Sequence, residues 1–314
     1  MNDEKLQSDH PSRVVEIILN PGSGFTDNAK TADQLIELFQ PSGIEARISL
    51  VSNGENLVEL ARRAVRSEAA TIVAGGGDGT VNAVASLLVD TDKRLGVLPV
   101  GTLNHFAKDL KIPLDLEGAV RTIIADNTVR IDVGEVNGRI FLNNSSLGLY
   151  PSLIHRREQR QKLGYGKWPA FIWAAFSVMR RYPFLDVRLK ADGREISSRT
   201  PFVFIGNNEY EMENFKIGGR SRLNAGQLSL YFSHRTGRLG LGMLALRALM
   251  GRLVRTKEFV AMCTTEVSIE TPRDRIRVST DGEVVMMRPP LRYRIRPASL
   301  RVIVPRVDLT GDLV

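Results

Sequence analysis

TIVAGGGDGTVN, residues 71–82, runs from a short apolar strand through three glycines into a helix. In a parallel sheet, ligands gather at the carboxyl ends of the strands. Glycines there let backbone N–H groups approach an anion without Cβ obstruction. The helix that follows aims its free N–H groups and partial positive charge at the same point. Gly76, Gly77, Gly79, Thr80, Val81 and Asn82 therefore form a candidate phosphate cradle, with Thr80 adding a hydroxyl donor. Asp78 repels bare phosphate. It makes sense if a Mg²⁺ ion lies between, or if it orients another group. No Lys follows the glycines, so this is not a Walker A loop. The plain alternative is a tight strand-to-helix turn in which Asp78 caps a helix.

Moving outward, the pattern repeats. Val14–Leu19 is an apolar run that stops at Asn20-Pro21-Gly22-Ser23-Gly24, and Leu95–Leu98 stops at Pro99-Val100-Gly101-Thr102. Helical spacing occupies Thr31–Gln40, Asn56–Arg66, Val81–Val89 and Leu116–Ala125, and Ala46–Val51 reads as a further strand. Strands alternating with helices predict an α/β domain with a parallel sheet over residues 13–130. Three glycine-containing turns then share one sheet edge and can enclose one nucleotide.

Past Arg130 the pattern changes to short strands, starting with a hairpin at Asn137-Gly138. Residues 131–308 are expected to form a mostly β sandwich with two basic helical insertions. The insertions, Leu153–Tyr182 and Arg238–Lys257, carry Arg156, Arg157, Lys167, Trp168, Trp173, Arg247 and Arg252 among others. Such segments suit an anionic bilayer surface, or else they cover the sandwich with their charges solvated. The charge is lopsided: 12 Lys/Arg against 15 Asp/Glu in residues 13–130, and 30 against 17 in residues 131–314. No nucleic-acid-binding motif accompanies that charge. The single cysteine, Cys263, rules out an intrachain disulfide, and no apolar run reaches the length of a membrane span. The expectation is a cytoplasmic protein held peripherally at the inner face of the membrane. Nothing in the sequence speaks to oligomeric state.

Together, Asn20–Gly24, Gly76–Asn82, Pro99–Asn104 with Phe106-Ala107, and Asp281-Gly282-Glu283 resemble the diacylglycerol kinase catalytic-domain superfamily, which includes bacterial lipid kinases and sphingosine and ceramide kinases. The resemblance implies ATP and Mg²⁺ as cofactors and a membrane-lipid hydroxyl as acceptor (diacylglycerol, ceramide or a sphingoid base). It places Gly76–Asn82 and Thr102 on ATP with Asn20, Gly101 and Asn104 shaping that pocket, Asp78 and Asp132 near Mg²⁺, and Glu283 as general base in a cleft between the domains. By itself, Asp281–Glu283 reads as an ordinary hairpin turn.

Several positions depart from the family pattern. His105 stands where the family has Asp, Ala83 where it has Glu, and Ala225 where an Asp serves a structural Mg²⁺. Asn224 lies beside that last position, and Arg222 and Gln227 offer only backbone carbonyls there. One rival reading is an NAD kinase, which shares the GGDGT loop and for which Gly206-Asn207-Asn208-Glu209 offers a superficial match. Another is a nucleotide- or lipid-binding protein that has lost catalysis.

Overall fold

The computed structural model describes residues 13–20, 28–52, 54–148, 184–210, 212–213, 216–217, 220, 222–233 and 259–306. Two compact units emerge: residues up to Val129 together with those from Arg301 onward, and Arg130–Leu300. The segment from Arg301 thus belongs with the first unit, whereas the sequence pattern groups 131–308 together.

The first unit alternates β1 (Arg13–Leu19), α1 (Asn28–Phe39), β2 (Ile44–Leu50), α2 (Gly54–Arg66), β3 (Thr71–Gly76), α3 (Asp78–Leu88), β4 (Arg94–Pro99), α4 (His105–Asp109) and α5 (Leu116–Ala125). The strands run parallel in the order β2-β1-β3-β4. Every residue of β3 is buried, as expected of a central parallel strand covered on both faces. In β1, Ile17, Ile18 and Leu19 are fully enclosed. The register sets Leu19 beside Gly75 and Gly76 beside Pro99, so three strands end at nearly one level. Pro41 falls in a short 3₁₀ turn, and left-handed Gly43 redirects the chain into β2.

The second unit contains β5 (Thr128–Val136, straddling the boundary), β6 (Arg139–Phe141), β7 (Asn144–Gly148), β8 (Leu185–Ala191), β9 (Arg194–Thr200), β10 (Phe202–Asn207), β11 (Met212–Glu213), β12 (Lys216–Ile217), β13 (Leu228–Ser233), β14 (Phe259–Thr264), β15 (Glu266–Glu270), β16 (Ile276–Thr280), β17 (Glu283–Met287) and β18 (Leu291–Ile303, also straddling the boundary). One antiparallel sheet has the order β14-β13-β10-β7-β16-β17; facing it, β18, β15, β8 and β9 pair in sequence. Strict in-out alternation along β8 buries Leu185, Val187, Leu189 and Ala191. These pack in one core with Leu147, Val203, Ile205, Leu230, Phe232 and Val278 of the other sheet, so the unit is a β-sandwich. Asn137 and Gly138, both at positive φ (47° and 84°), make the expected tight turn between β5 and β6. Leu291–Pro297 and Leu300–Val304, two strand-like runs in the sequence, are joined in one strand, β18, with left-handed Ala298 inside it.

Candidate active site

In the first unit the three strand tips converge. The Asn20 N–H donates to Gly75 O at 2.8 Å, and its amide Nδ2 donates to Thr80 Oγ1 at 2.9 Å, fixing the end of β1 to the glycine loop. Pro21–Gly24 lie outside the described residues. On the other side, the Gly77 and Gly101 backbones touch: a Cβ on Gly101 would fall 2.4 Å from Gly77 Cα. Gly76 is equally constrained, since a Cβ there would come within 2.5 Å of the Thr80 side chain. Asn104, left-handed at φ 51°, locks the third tip. Its Oδ1 accepts from Gly101 N–H, and its Nδ2 donates to Pro99 O and Gly101 O. Thr102 stands exposed on that loop.

Gly77 is the extended N-cap of α3 and provides no side-chain cap. The first-turn N–H groups of a helix have no intrahelical partner, so this end offers donors to an anion. Val81 and Asn82 are buried within α3, which leaves Gly77, Asp78 and Gly79 as the partly open positions of the loop. Asp78 does not cap its own helix. Its two carboxylate oxygens accept the His105 and Phe106 N–H groups at 3.2 Å, holding the start of α4. Because Asp78 is only half-buried, it retains lone pairs toward solvent. Magnesium at nucleotide sites is commonly held by one or two carboxylates plus phosphate oxygens. Asp78 fits that pattern; among the described residues no group of three or more His, Cys, Asp or Glu forms a metal cage.

In the second unit, Asp281-Gly282 is the turn between β16 and β17, with φ of 48° and 87° and Thr280 paired to Glu283. Two positive φ values make this a type I′ hairpin, for which Asp-Gly is a favoured pair. The two carboxylates have different environments. That of Asp281 turns inward and accepts N–H from Leu142, Asn143 and Asn144 at 2.7, 2.8 and 3.0 Å. Burial raises its pKa to about 6, against the lowering effect of those donors and of Arg220. The Glu283 side chain is 56% exposed and pairs with Arg139.

Residues 14–136 match the family described as the diacylglycerol kinase catalytic domain, and residues 151–304 match the YegS C-terminal NAD kinase beta sandwich-like domain. The chain belongs to the diacylglycerol kinase catalytic-domain superfamily. Its enzyme class is that of a lipid kinase. A diacylglycerol kinase from Staphylococcus haemolyticus (strain JCSC1435) is 24% identical over 86% of this chain and 82% of its own. One from Staphylococcus aureus (strain bovine RF122 / ET3-1) is 26% identical over 85% of both chains. A crystal structure of a diacylglycerol kinase from Bacillus anthracis str. Sterne shares the fold, with a TM-score of 0.69, 19% identity, and coverage of 93% of this chain and 97% of that one.

Within this lipid kinase, the sandwich residues singled out from sequence hold backbone. Asp132 is buried, and its two oxygens accept N–H from Gly226 (2.7 Å) and Ala298 (2.8 Å). Asn208 Oδ1 accepts the N–H of Ala225, the residue at the family's Asp position. The Asn207 amide donates to Asp132 O and Leu142 O. Arg156, Arg157, Lys167, Trp168, Trp173, Arg247 and Arg252 lie outside the described residues. Sequence reading missed Arg139, Arg220 and Tyr210. Buried Arg220 donates to Leu142 O, Asn207 O and Asn143 Oδ1, and Tyr210 donates to Asn143 O. Isolated residues of these types carry no motif to reveal them.

Proposed function

We propose that this lipid kinase transfers the γ-phosphoryl group of ATP to a hydroxyl of a membrane lipid of the diacylglycerol, ceramide or sphingoid-base class. The convergence of Asn20, Gly77 and Gly101 at the α3 N-terminus is the observation that carries the reading. The N–H groups of Asn20 and Gly101 bind Gly75 O and Asn104 Oδ1 and fix the tips, so a triphosphate there would meet the first-turn N–H groups of α3 together with its helix dipole. Asp78 and Thr80 complete the cradle, and Thr102 and Asn104 border it. Asp78 would hold Mg²⁺, which neutralises phosphate charge when bound with the nucleotide. Asp132, whose two oxygens already accept the Gly226 and Ala298 N–H groups, is left to that structural role.

Glu283 accepts the proton of the lipid hydroxyl. The alcohol oxygen bonds to the γ-phosphorus, the bond to the β–γ bridging oxygen breaks, and ADP leaves with that electron pair. The strongly basic residues 131–314 favour an anionic membrane surface as the partner, with Arg156, Arg157, Lys167, Trp168, Trp173, Arg247 and Arg252 as the contact residues. The Asn207 and Asn208 side chains are buried and bonded to their own chain, which weighs against an NAD kinase-like use of them. Among the described residues no helix is long and apolar enough to cross a membrane.

The test is incubation with labelled ATP and either NAD or vesicles of fractionated lipid, identifying the labelled product by mass. Label in a lipid is expected. Asp78→Asn and Glu283→Gln should each lower turnover at least about tenfold with the fold intact. Label in NAD, or ATP binding without any transfer, would remove the reading.

A further inference from the structure

Arg139 opens β6 beside the hairpin that carries Glu283. Its Nε donates to Thr280 Oγ1 at 2.8 Å, and a terminal nitrogen pairs with the Glu283 carboxylate. Thr280 and Glu283 are the cross-strand pair that closes the turn, so one planar fork spans the hairpin neck. The two partners differ in environment: Thr280 is fully buried, whereas Glu283 is exposed. The fork therefore has one fixed anchor and one side chain to restrain.

The base on which Arg139 stands is itself rigid. Beyond β6, the N–H groups of Leu142, Asn143 and Asn144 all bind Asp281, while Asn144 O accepts the Asp281 N–H. The carbonyls of Leu142 and Asn143 are taken by Asn207, Arg220 and Tyr210. Every one of these backbone groups is thus satisfied. By contrast, an ion pair as exposed as Arg139–Glu283 adds little to stability. A glutamate free in solvent samples several rotamers, and selecting one matters where its oxygen must meet a particular atom. A guanidinium can bind two acceptors in fixed directions, which an ammonium cannot.

We propose that Arg139 is a positioning residue for Glu283, tethered through Thr280 and holding the carboxylate in the rotamer that receives the acceptor proton. This rests on Glu283 being the base. The experiment compares Arg139→Met, Thr280→Val, Glu283→Gln and the Arg139→Met/Glu283→Gln and Thr280→Val/Glu283→Gln pairs. Labelled ATP and vesicles of total bacterial lipid extract serve as substrates, and kcat, the KM for ATP and the thermal midpoint are read.

Arg139→Met is expected to lower kcat by about tenfold to a hundredfold, with KM for ATP and midpoint unchanged. Thr280→Val should lose less in the same direction, and neither change should matter once Glu283 is Gln, because groups acting as a unit are non-additive. An unchanged kcat in Arg139→Met, or losses that multiply in the double variant, overturns the proposal while leaving the base intact. Full activity of Glu283→Gln overturns the base and this proposal with it. Should Arg139→Met fail to fold, the near-isosteric Thr280→Val takes its place: an effect that vanishes in the Glu283→Gln background supports the tether, and one that persists there overturns it.

Discussion

Gly101 and Gly77 face each other, yet they tolerate a methyl group differently. A Cβ on Gly101 meets Gly77 Cα at 2.4 Å and its nitrogen at 3.1 Å, so two backbones must part. A Cβ on Gly77 meets nothing nearer than Gly101 Cα at 3.5 Å, an ordinary contact. Gly101→Ala is therefore expected to cost about 1–3 kcal/mol of stability, the usual range for overpacking, and to weaken ATP binding as the tips separate. Gly77→Ala should melt like the wild type and lose ATP affinity only, since its new methyl group stands where phosphate approaches. Thermal melts with and without ATP separate the two. An unchanged ATP-induced shift in Gly77→Ala would move the phosphates off this loop. These glycines were legible because a conformational requirement selects the residue type. Arg139 was not, because an Arg after an Asn-Gly turn is what any solvated strand carries.

The β16–β17 hairpin shows how an element turns local sequence into a site. Asp-Gly sets the type I′ turn, and the Asp281 carboxyl docks the turn on three N–H groups of the segment that follows β6. Asp281→Ala would orphan those donors and is expected to cost at least about 2 kcal/mol. The pH dependence has a definite sign. Asp281 has its pKa raised from 3.8 to about 6, chiefly by burial. The native state thus binds its proton more tightly than the unfolded chain, and stability from this group is lost as pH rises from about 4 to 6. The wild-type advantage over Asp281→Ala should shrink across that window by up to about 3 kcal/mol and stay flat above it. Denaturant titrations at pH 4, 5, 6 and 7 would show it, and a constant difference would contradict it. The turn could be read from two residues, but its strand partners could not. β17 (EVVMM) has no polar–apolar alternation in its sequence, although Val285 and Met287 pack on the core while Val284 and Met286 are exposed, and β9 (REISSRT) is too polar to announce a strand. Pro297 made β18 look like two strands, although Asp132 accepts the Ala298 N–H and carries the strand past the break. The first unit was more legible because its strands are short apolar runs ended by Gly or Pro, a pattern set by burial on both faces.

At the scale of the whole chain, charge separates the two halves of the sequence, with a net −3 over residues 13–130 and +13 over residues 131–314. A water-soluble acceptor would require no such asymmetry; a lipid acceptor in an anionic bilayer would exploit it. Each Lys or Arg near such a surface contributes about 1 kcal/mol, and the attraction fades within a Debye length. Under the proposed function, binding to vesicles rich in phosphatidylglycerol should therefore be strong at low salt, fall steeply as salt rises, and be weak on phosphatidylcholine alone. Arg247→Gln with Arg252→Gln removes two charges and should lower partitioning by about thirtyfold, the equivalent of about 2 kcal/mol. The residues of the ATP cradle are untouched, so ATP binding should be unchanged while phosphorylation of vesicle lipid falls. Raising the vesicle concentration should restore much of that rate, because the loss lies in reaching the surface and not in phosphoryl transfer. Cosedimentation across a salt series, paired with lipid turnover at several vesicle concentrations, reads both quantities. Equal binding to neutral and anionic vesicles would show that the basic half is only a solvated surface.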